Sequence, residues 1–368
     1  MNHFSNLPGK LGKFFAGEQM DTIHNDEALL SRAAESGARI RNLVESLDRV
    51  ILDKPDVTRA LVAGVLAGGH VLLEGLPGLG KTELVKGLAR LCSIEYRRVQ
   101  FTPDLLPSDI TGSFILQESE PDASGHRRRD FVFQRGPVFC NILLCDEINR
   151  ASPKTQSALL EAMAERAVTV MGETHRLPDP FFAIATQNPI ELEGTYPLPE
   201  AQVDRFLFKL HLGRPAAGVL TNIVRERATG APPDLPAVIT GDDLRTVISL
   251  AREVHISEPL AAYIARLVEA THPDAAEAPD LVQRYVKYGA SPRAAIGLAS
   301  AARAWALMEG NAHAGFDAVR KLFPYVMNHR ILLDYSARMD GVTVERIMND
   351  ILEAVSVTSK PVPAGVRG

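Results

Sequence analysis

The sequence lacks the features that mark secreted and membrane-spanning proteins. It has only three cysteines in 368 residues (Cys92, Cys140 and Cys145), which lie in apolar runs without a CxxC pair. This pattern favours buried, reduced thiols over disulfides or a zinc site. No apolar run approaches the roughly 20 residues that span a bilayer, and the first residues lack the apolar core of a signal peptide. We therefore expect a soluble, cytoplasmic protein without membrane insertion.

An excess of positive charge is also absent. The formal net charge is -5 and the isoelectric point is about 6.1, so the chain has no overall basic character for binding nucleic acid. Hydrophobic residues make up 46% of the chain and charged residues 23%, which is an ordinary globular composition. A length of 368 residues favours two or three structural units.

Apolar runs alternate with helical patterns in the first part of the chain. The runs HVLLEG, RRVQF, NILLCDE and FFAIATQ are typical of buried strands, and KTELVKGLARL and KTQSALLEAMAER are typical of helices. Short apolar strands between helices predict a parallel sheet that is covered on both faces. The predicted fold class is therefore α/β, with the core in residues 26–214 and a flexible segment, residues 1–25, before it.

Two insertions interrupt this alternation, and the composition changes after the core. Residues 113–137 and 167–180 each contain two β-like runs around a polar tip, and Gly172–Glu173 resembles the turn of the second hairpin. Both hairpins are expected to project from the sheet. A proline-rich connector then leads to an alanine-rich segment, which predicts a small helical domain in residues 215–355. Residues 356–368 are expected to form a flexible tail.

A glycine-rich stretch, GLPGLGKT, separates the first predicted strand from a helix and fits the pattern GxxxxGK[ST]. Glycines let consecutive backbone N–H groups surround phosphate oxygens, and the helix N-terminus adds positive potential. We predict that Lys81 reaches the β- and γ-phosphates and that Thr82 ligates magnesium. The predicted nucleotide-binding residues here are Gly75, Leu76, Pro77, Gly78, Leu79, Gly80, Lys81, Thr82 and Glu83.

Polar residues follow two further predicted strands. Asp146 and Glu147 end NILLCDE, where Asp146 would hold the magnesium shell and Glu147 would polarise an attacking water. Asn188, after FFAIATQ, would orient that water. Either Asn149 or Asn188 would restrain Glu147 before activation, and the sequence leaves this choice open. Together with the glycine-rich loop, these residues predict a magnesium-dependent ATP hydrolase with ATP and Mg²⁺ as cofactors.

The blocks around these residues resemble the MoxR family of AAA+ ATPases. The resemblance extends from Val50 to Ile351 and rests on LAGGHVLLEGLPGLGKT, QFTPDLLPSDITG, FQRGPVFCNILLCDEINRASPKTQSALLEAMAER, ATQNPIELEGTYPLPEAQVDRF and YGASPRAAIGL. It implies an AAA+ P-loop core with a C-terminal all-helical lid, and a homo-oligomeric ring, usually a hexamer. It also implies chaperone-like remodelling of protein clients, often with partners that carry von Willebrand factor A domains. The two insertions correspond to the family's helix-2 insert and pre-sensor hairpin.

The resemblance assigns roles to three residues. Arg205, in AQVDRF, is similar to the arginine finger that reaches the γ-phosphate of a neighbouring subunit. Arg293, in GASPRAAIGL, is similar to the sensor 2 arginine and is expected to contact nucleotide. Asn188 matches sensor 1. An arginine supplied by a neighbour would make hydrolysis depend on assembly.

Both arginines also have a purely structural interpretation. Arg205 would pair with Asp204 or Glu200, and Arg293 would cap the helix after Pro292. The chain also departs from the family in ILDKPD (51–56), where many members carry a Gly-Gln pair that contacts adenine. The sequence therefore predicts phosphate binding without identifying the residues that bind adenine.

Two other functions share this architecture. One is a ring-shaped nucleic-acid motor, for which the compact basic cluster Arg127–Arg129 at the tip of the first insertion is the relevant feature. The acidic net charge argues against it, and we expect no nucleic-acid binding at physiological salt. The other is the ATPase subunit of a metal chelatase, which would depend on separate catalytic subunits. An ATP-driven remodeller of a protein client is the favoured interpretation.

Overall fold

The structure, a computed structural model, describes residues 11–51, 53–118, 129–189, 195–226 and 235–357. Residues 1–10 of the expected N-terminal segment, Arg127 and Arg128, and most of the expected tail lie outside this part. The strands in the described part are β1 (His70–Gly75), β2 (Tyr96–Gln100), β3 (Gly112–Glu118), β4 (Arg129–Arg135), β5 (Ile142–Asp146), β6 (Ala167–Val170), β7 (Glu173–Arg176), β8 (Phe182–Gln187), β9 (Phe206–Leu212), β10 (Val286–Tyr288) and β11 (Leu332–Leu333).

Helices precede, separate and follow these strands, and a short 3₁₀ helix (Ile148–Arg150) follows β5. The α-helices are α1 (Leu11–Val50), α2 (Pro55–Leu66), α3 (Lys81–Leu91), α4 (Pro107–Thr111), α5 (Pro153–Glu165), α6 (Glu200–Val203), α7 (Ala217–Glu226), α8 (Gly241–Glu253), α9 (Glu258–Glu269), α10 (Asp280–Tyr285), α11 (Pro292–Met308), α12 (Phe316–Met327), α13 (Tyr335–Met339) and α14 (Val344–Ala354).

The core is a five-stranded parallel sheet in the order β2-β5-β8-β1-β9. Its central strands are apolar because side chains of alternating direction enter two separate cores. Leu73 and Leu144 pack on the face that carries α3, whereas Leu72 and Leu143 pack on the opposite face with α5. The four predicted strands are confirmed to within a residue at each end. The sequence did not single out β9 as a strand.

Helices α1 and α2 connect the sheet to the C-terminal domain. Helix α1 begins at Leu11, so residues 11–25 are helical rather than loosely ordered as expected. It packs against α3 on one side and against α11 on the other. Gly37 allows this contact, since a Cβ atom there would lie 2.7 Å from the Gly310 Cα. One apolar core therefore runs from β1 into α11 and α12.

The two insertions form separate antiparallel hairpins, β3–β4 and β6–β7, as the sequence predicted. The second turn is one residue earlier than expected. Val170 pairs with Glu173, which leaves Met171 and Gly172 as the turn with φ angles of 51° and 86°. Two positive φ angles are typical of a type I′ hairpin. The His175 ring stacks on Phe133 at 3.9 Å, so the two hairpins pack against each other.

The C-terminal domain is helical, with one addition to the expectation. Strands β10 and β11 form a short antiparallel ladder between α10 and α13. The domain's helices pack chiefly around α11, which contacts α8, α9 and α12. Among the described residues, no helix combines the length and the apolar character needed to cross a membrane. The three cysteines are buried and unpaired, as predicted.

His70, at the start of β1, is held in its neutral form by the fold. Its Nδ1 accepts a hydrogen bond from the Ala183 N–H at 3.0 Å, so its protonated Nε2 can donate to the Met163 carbonyl at 3.1 Å. Burial lowers the pKa of His70 to about 4, because a charged imidazole would be desolvated. A proton on Nδ1 would also face the Ala183 N–H.

This burial predicts a pH dependence of stability. Below a pH of about 6.5, His70 is protonated in the unfolded chain. In the folded chain it stays neutral down to about pH 4, so the free energy of unfolding falls as pH falls. His70→Gln should remove about 2 kcal/mol of the loss between pH 7 and pH 5. Urea unfolding at both pH values measures this loss. His211→Gln, at a side chain 65% exposed, is the control. Equal losses in the parent and His70→Gln would contradict the assignment.

Candidate active site

The glycine-rich loop joins the C-terminal end of β1 to α3. Gly78 and Gly80 have φ angles of 79° and 81°, in the left-handed region that glycine adopts without strain. A Cβ atom at Gly75 would lie 2.8 Å from the Leu212 carbonyl oxygen, so the backbone approaches β9 closely there. The curled backbone and the N-terminus of α3 fit a phosphate group. Ile51, from the segment that departs from the family pattern, packs beside Gly80.

Lys81 is already positioned beneath this loop. Its Nζ donates to the Gly75 carbonyl at 2.6 Å and to the Gln187 carbonyl at 3.3 Å, so it bridges the ends of β1 and β8. Burial lowers the pKa of Lys81, and the negative charges of Asp146 and Glu147 oppose that shift. The lysine is thus a partly buried cation at the place where phosphate charge would be neutralised.

The two carboxylates at the end of β5 lie close together because the strand ends abruptly. Successive strand residues point to opposite faces, but Glu147 has a φ of 56°, which breaks that alternation. The Thr186 hydroxyl stabilises this turn: it donates to Asp146 Oδ1 at 2.6 Å and accepts from the Glu147 N–H at 2.9 Å. Both carboxylates therefore face side chains of β2.

Residues that the sequence did not identify contact these carboxylates. Arg98 donates to Asp146 Oδ2 from Nε at 3.1 Å and from Nη2 at 2.6 Å. Glu147 Oε2 accepts from Gln100 Nε2 at 2.8 Å and from Arg150 Nη1 at 3.0 Å. The sequence left open whether Asn149 or Asn188 restrains Glu147. The structure shows Gln100 and Arg150 as hydrogen-bond partners of its carboxylate, and the choice between Asn149 and Asn188 stays open.

Asn188 is buried directly after β8, next to the carbonyl that Lys81 contacts. It lines a cleft of about 390 Å³ together with Glu74, Asn149 and Lys209. Glu74 pairs with Lys209 at 3.1 Å on the floor of this cleft. The structure thus brings the phosphate loop, Asp146, Glu147 and Asn188 to one edge of the sheet, as the sequence predicted. Their individual roles stay predictions.

Arg205 and Arg293 lie together at the opposite edge. Arg205 precedes β9, and its Nη1 donates to the Leu160 carbonyl at 3.0 Å. Arg293, in the first turn of α11, lies 3.6 Å from the Asp204 carboxylate. Both arginines line one cleft of about 400 Å³, with His70 and Ile296 also on its wall. In this structure Arg205 therefore forms an ion pair with neither Asp204 nor Glu200.

The direction of the strands separates these arginines from the phosphate loop of their own chain. Phe206, next to Arg205, pairs with His70 at the start of β1, whereas the loop follows Gly75 at its end. Six strand residues span about 20 Å, which exceeds the reach of an arginine side chain. The sequence placed Arg293 among the nucleotide-binding residues. In this structure Arg293 lies away from the phosphate loop of its own subunit, and its contact with nucleotide stays a prediction.

A buried ion pair fixes this second surface. The side chain of Arg330 is only 4% exposed, and its Nε donates to Asp204 Oδ1 at 2.7 Å. Its other nitrogens donate to the carbonyls of Asp204, Phe206 and Leu207. Asp204 also accepts from the Ser291 hydroxyl at 3.0 Å. Arg330 and Ser291 belong to the C-terminal domain, so Asp204 holds that domain against β9. Asp204 and Arg330 also line the cleft that contains Arg205 and Arg293.

Comparisons with known proteins agree with this geometry. Residues 70–208 match the family model of the ATPase family associated with various cellular activities (AAA), and residues 279–351 match the AAA lid domain. A crystal structure of a proposed ATPase from Cytophaga hutchinsonii is 37% identical, with a TM-score of 0.81, and the match covers 90% of this chain and 98% of that one. The fold and the phosphate site therefore define a nucleotide-binding AAA ATPase with its lid.

Two similar sequences identify the branch of this class. The chaperone MoxR1 of Mycobacterium tuberculosis is 40% identical over 88% of this chain and 84% of its own length. The uncharacterized protein YeaC of Bacillus subtilis is 42% identical over 85% of this chain and 93% of its own length. The chain belongs to the MoxR family of AAA+ ATPases. The resemblance inferred from the sequence motifs is confirmed.

Removal of Asp204 should destabilise the protein. Asp204→Ala leaves the buried Arg330 guanidinium without its counter-charge, which typically costs about 3–5 kcal/mol. Urea unfolding of the full chain measures the change. Glu253→Ala is the matched control, because Glu253 is 45% exposed and pairs with an exposed Arg32, and its removal should cost under about 1 kcal/mol. Similar losses in the two variants would show that Asp204 does not hold the lid.

The site geometry also predicts a separation of binding from turnover. Lys81→Ala should abolish most ATP affinity by removing the cation at the loop. Glu147→Gln should keep that affinity and reduce turnover by about 10²- to 10⁴-fold, because an amide cannot accept a proton. Fluorescent-nucleotide binding and phosphate release measure the two quantities. Lys86→Ala, at an exposed lysine of α3, is the control. Hydrolysis at the parent rate by Glu147→Gln would refute its assignment as the base.

Proposed function

We propose that this protein couples Mg²⁺-dependent hydrolysis of ATP, completed between neighbouring subunits of a ring, to the remodelling or maturation of a protein client. The observation that carries the proposal is the division of the required groups between two edges of one sheet. The phosphate loop and the carboxylates lie at the edge formed by strand C-termini. Arg205 and Arg293 lie at the other edge, too far from that loop to serve it.

The first edge supplies binding and the general base. The Thr82 hydroxyl and the Asp146 carboxylate are oxygen donors, the ligand type that Mg²⁺ prefers. Bound there, Mg²⁺ would neutralise charge on the β- and γ-phosphates. Glu147 would accept a proton from the attacking water, and Asn188 would orient that water. Lys81 would bind the same phosphates from the opposite side.

The second edge carries two arginines that do not reach the phosphate loop of their own subunit. Arg293 has a side chain that is 63% exposed, and Arg205 is also exposed. Their common cleft would receive the phosphate edge of an adjacent subunit, where both guanidinium groups would stabilise charge on the γ-phosphoryl group during transfer. Such a head-to-tail contact closes into a ring when its rotation permits. The family resemblance supports a hexamer.

A protein client fits the projecting surface better than nucleic acid does. On the β3–β4 hairpin, Ile115, Leu116, Phe131 and Val132 are between 42% and 69% exposed. Apolar side chains offer nothing to a phosphate backbone, and Arg129 beside them is paired with Glu118 at 2.7 Å. The chaperone name of the mycobacterial relative also supports a protein client. A partner with a von Willebrand factor A domain is part of this proposal, on the family resemblance.

Mixing of inactive subunits tests the shared site. Arg205→Ala should bind ATP like the parent and lose about 10³-fold or more in turnover. Lys81→Ala should be inactive because its own site is empty of nucleotide. Co-assembled mixtures of the two should regain partial ATPase activity, since an intact phosphate loop can meet an intact arginine surface. Phosphate release measures the recovery, and each variant alone at the same total concentration is the control.

A second mixture locates Arg293. If both arginines act on the neighbour's nucleotide, Arg293→Ala mixed with Lys81→Ala should recover activity. Arg205→Ala mixed with Arg293→Ala should not, because every interface then lacks one arginine. Recovery in this last mixture would assign Arg293 to the nucleotide of its own subunit. Absence of recovery in every mixture that demonstrably co-assembles would contradict a shared site.

A further inference from the structure

Two polar side chains of β2 connect the carboxylates at the end of β5. Arg98 and Gln100 are two residues apart, so they project from the same face of the strand. Gln100 lies opposite Asp146 in the parallel register. Arg98 Nη2 donates to Asp146 at 2.6 Å and also to Gln100 Oε1 at 2.9 Å. Gln100 Nε2 then donates to Glu147 at 2.8 Å. A continuous chain of hydrogen bonds therefore runs from Asp146 to Glu147.

The direction of this chain follows from the chemistry of its members. A guanidinium group only donates, so the Gln100 oxygen must face Arg98. The Gln100 amide nitrogen must then face Glu147, where it donates to the carboxylate. Arg98 and Glu147 thus fix the same orientation of the amide, since the guanidinium holds its oxygen and the carboxylate accepts from its nitrogen. Without Arg98, the Gln100 side chain would be held by Glu147 alone.

The Arg98 guanidinium would also compete with magnesium for the Asp146 carboxylate. The Asp146 side chain is 13% exposed, with Oδ2 bound by Arg98 and Oδ1 bound by Thr186. Both oxygens of the proposed metal carboxylate are therefore engaged by protein donors. A divalent cation that approaches Asp146 meets a positive charge at Oδ2. The two cations compete for the same negative charge.

We propose that Arg98 is a positioning residue that couples the metal site to the general base. Without metal, Arg98 neutralises Asp146 and orients Gln100 so that its amide holds Glu147. When a divalent cation binds beside Asp146, Arg98 releases that carboxylate and the Gln100 oxygen together, Gln100 is then held at one end only, and its restraint on Glu147 weakens. Arg150 contacts the same Glu147 oxygen and supplies the other restraint. This inference rests on the proposed magnesium-dependent function.

Binding of Mn²⁺ tests the competition without any catalytic turnover. Mn²⁺ replaces Mg²⁺ and is titrated by electron paramagnetic resonance into the full chain saturated with a non-hydrolysable ATP analogue. Arg98→Ala should bind Mn²⁺ about three- to tenfold more tightly, the range expected when a partly exposed charged hydrogen bond is removed. Arg98→Lys keeps the charge and should stay within about twofold of the parent. If Arg98→Ala does not fold, Arg98→Gln removes the same charge.

The neighbouring Arg97→Ala is the matched control. Arg97 lies on the same strand with its side chain on the other face, and pairs with Glu95 at 2.8 Å. Its removal should leave Mn²⁺ affinity unchanged. Unchanged or weaker Mn²⁺ binding by Arg98→Ala would overturn the proposal, because Arg98 would then not compete with metal. Failure of the parent itself to bind Mn²⁺ would instead count against the proposed function.

A double-mutant cycle tests the connection to Glu147. The rate of turnover is measured for the parent, Arg98→Ala, Gln100→Ala and the double variant at saturating ATP and at Mg²⁺ below saturation, where Arg98 still contacts Asp146 in part of the molecules. Gln100→Ala should change turnover in the parent and have at most half that effect, on a logarithmic scale, when Arg98 is absent. Additive effects would separate the two residues and overturn the connection. Parent turnover in Gln100→Ala would overturn it as well, because the amide would then not restrain the base.

Discussion

The common direction of the five strands determines where the phosphate loop, the carboxylates and Arg205 lie. Strand C-termini carry the phosphate loop, Asp146, Glu147 and Asn188 to one edge of the sheet, as parallel α/β sheets generally do. The segment before β9 necessarily begins at the other edge, and it carries Arg205. An arginine there cannot reach the phosphate loop of its own chain, because the six residues of β1 separate the two. The separation of the phosphate loop from Arg205 therefore follows from backbone topology and needs no special loop conformation.

The lid adds a second arginine to the same surface because of one buried charge. Asp204 accepts from Arg330 and Ser291 and lies near Arg293, all of which belong to the C-terminal domain. A carboxylate at this depth is tolerated because a buried guanidinium neutralises it. The same contact orients α11 so that its first turn faces the cleft. Asp204 thus contributes both to the packing of the lid and to the placement of Arg293.

The sequence predicted the phosphate loop and the polar residues beside it, and little of what surrounds them. Strand β1 and helix α3 have the predicted bounds, and glycines mark both ends of β1 and the start of α3. Strand β9 was not predicted from FLFKLHL, in which Lys209 and His211 interrupt the apolar run. Arg98 and Gln100 were missed for a physical reason: their importance depends on the register of β2 against β5, which no local pattern specifies. Asp204 and Arg330 are 126 residues apart, so only the fold reveals their contact.

The backbone at Glu147 ties these features together. A left-handed conformation is unfavourable for a glutamate by about 1–2 kcal/mol, so it persists only where neighbours stabilise it. Thr186 holds its N–H, while Gln100 and Arg150 hold its carboxylate. The carboxylate is therefore oriented before nucleotide binds, but its Oε2 already accepts two hydrogen bonds. Metal at Asp146 would relieve part of that engagement, and arginines from a neighbour would complete the charge stabilisation. In the proposed mechanism, two independent requirements oppose hydrolysis by an isolated subunit, one local to β2 and one set by the direction of the sheet.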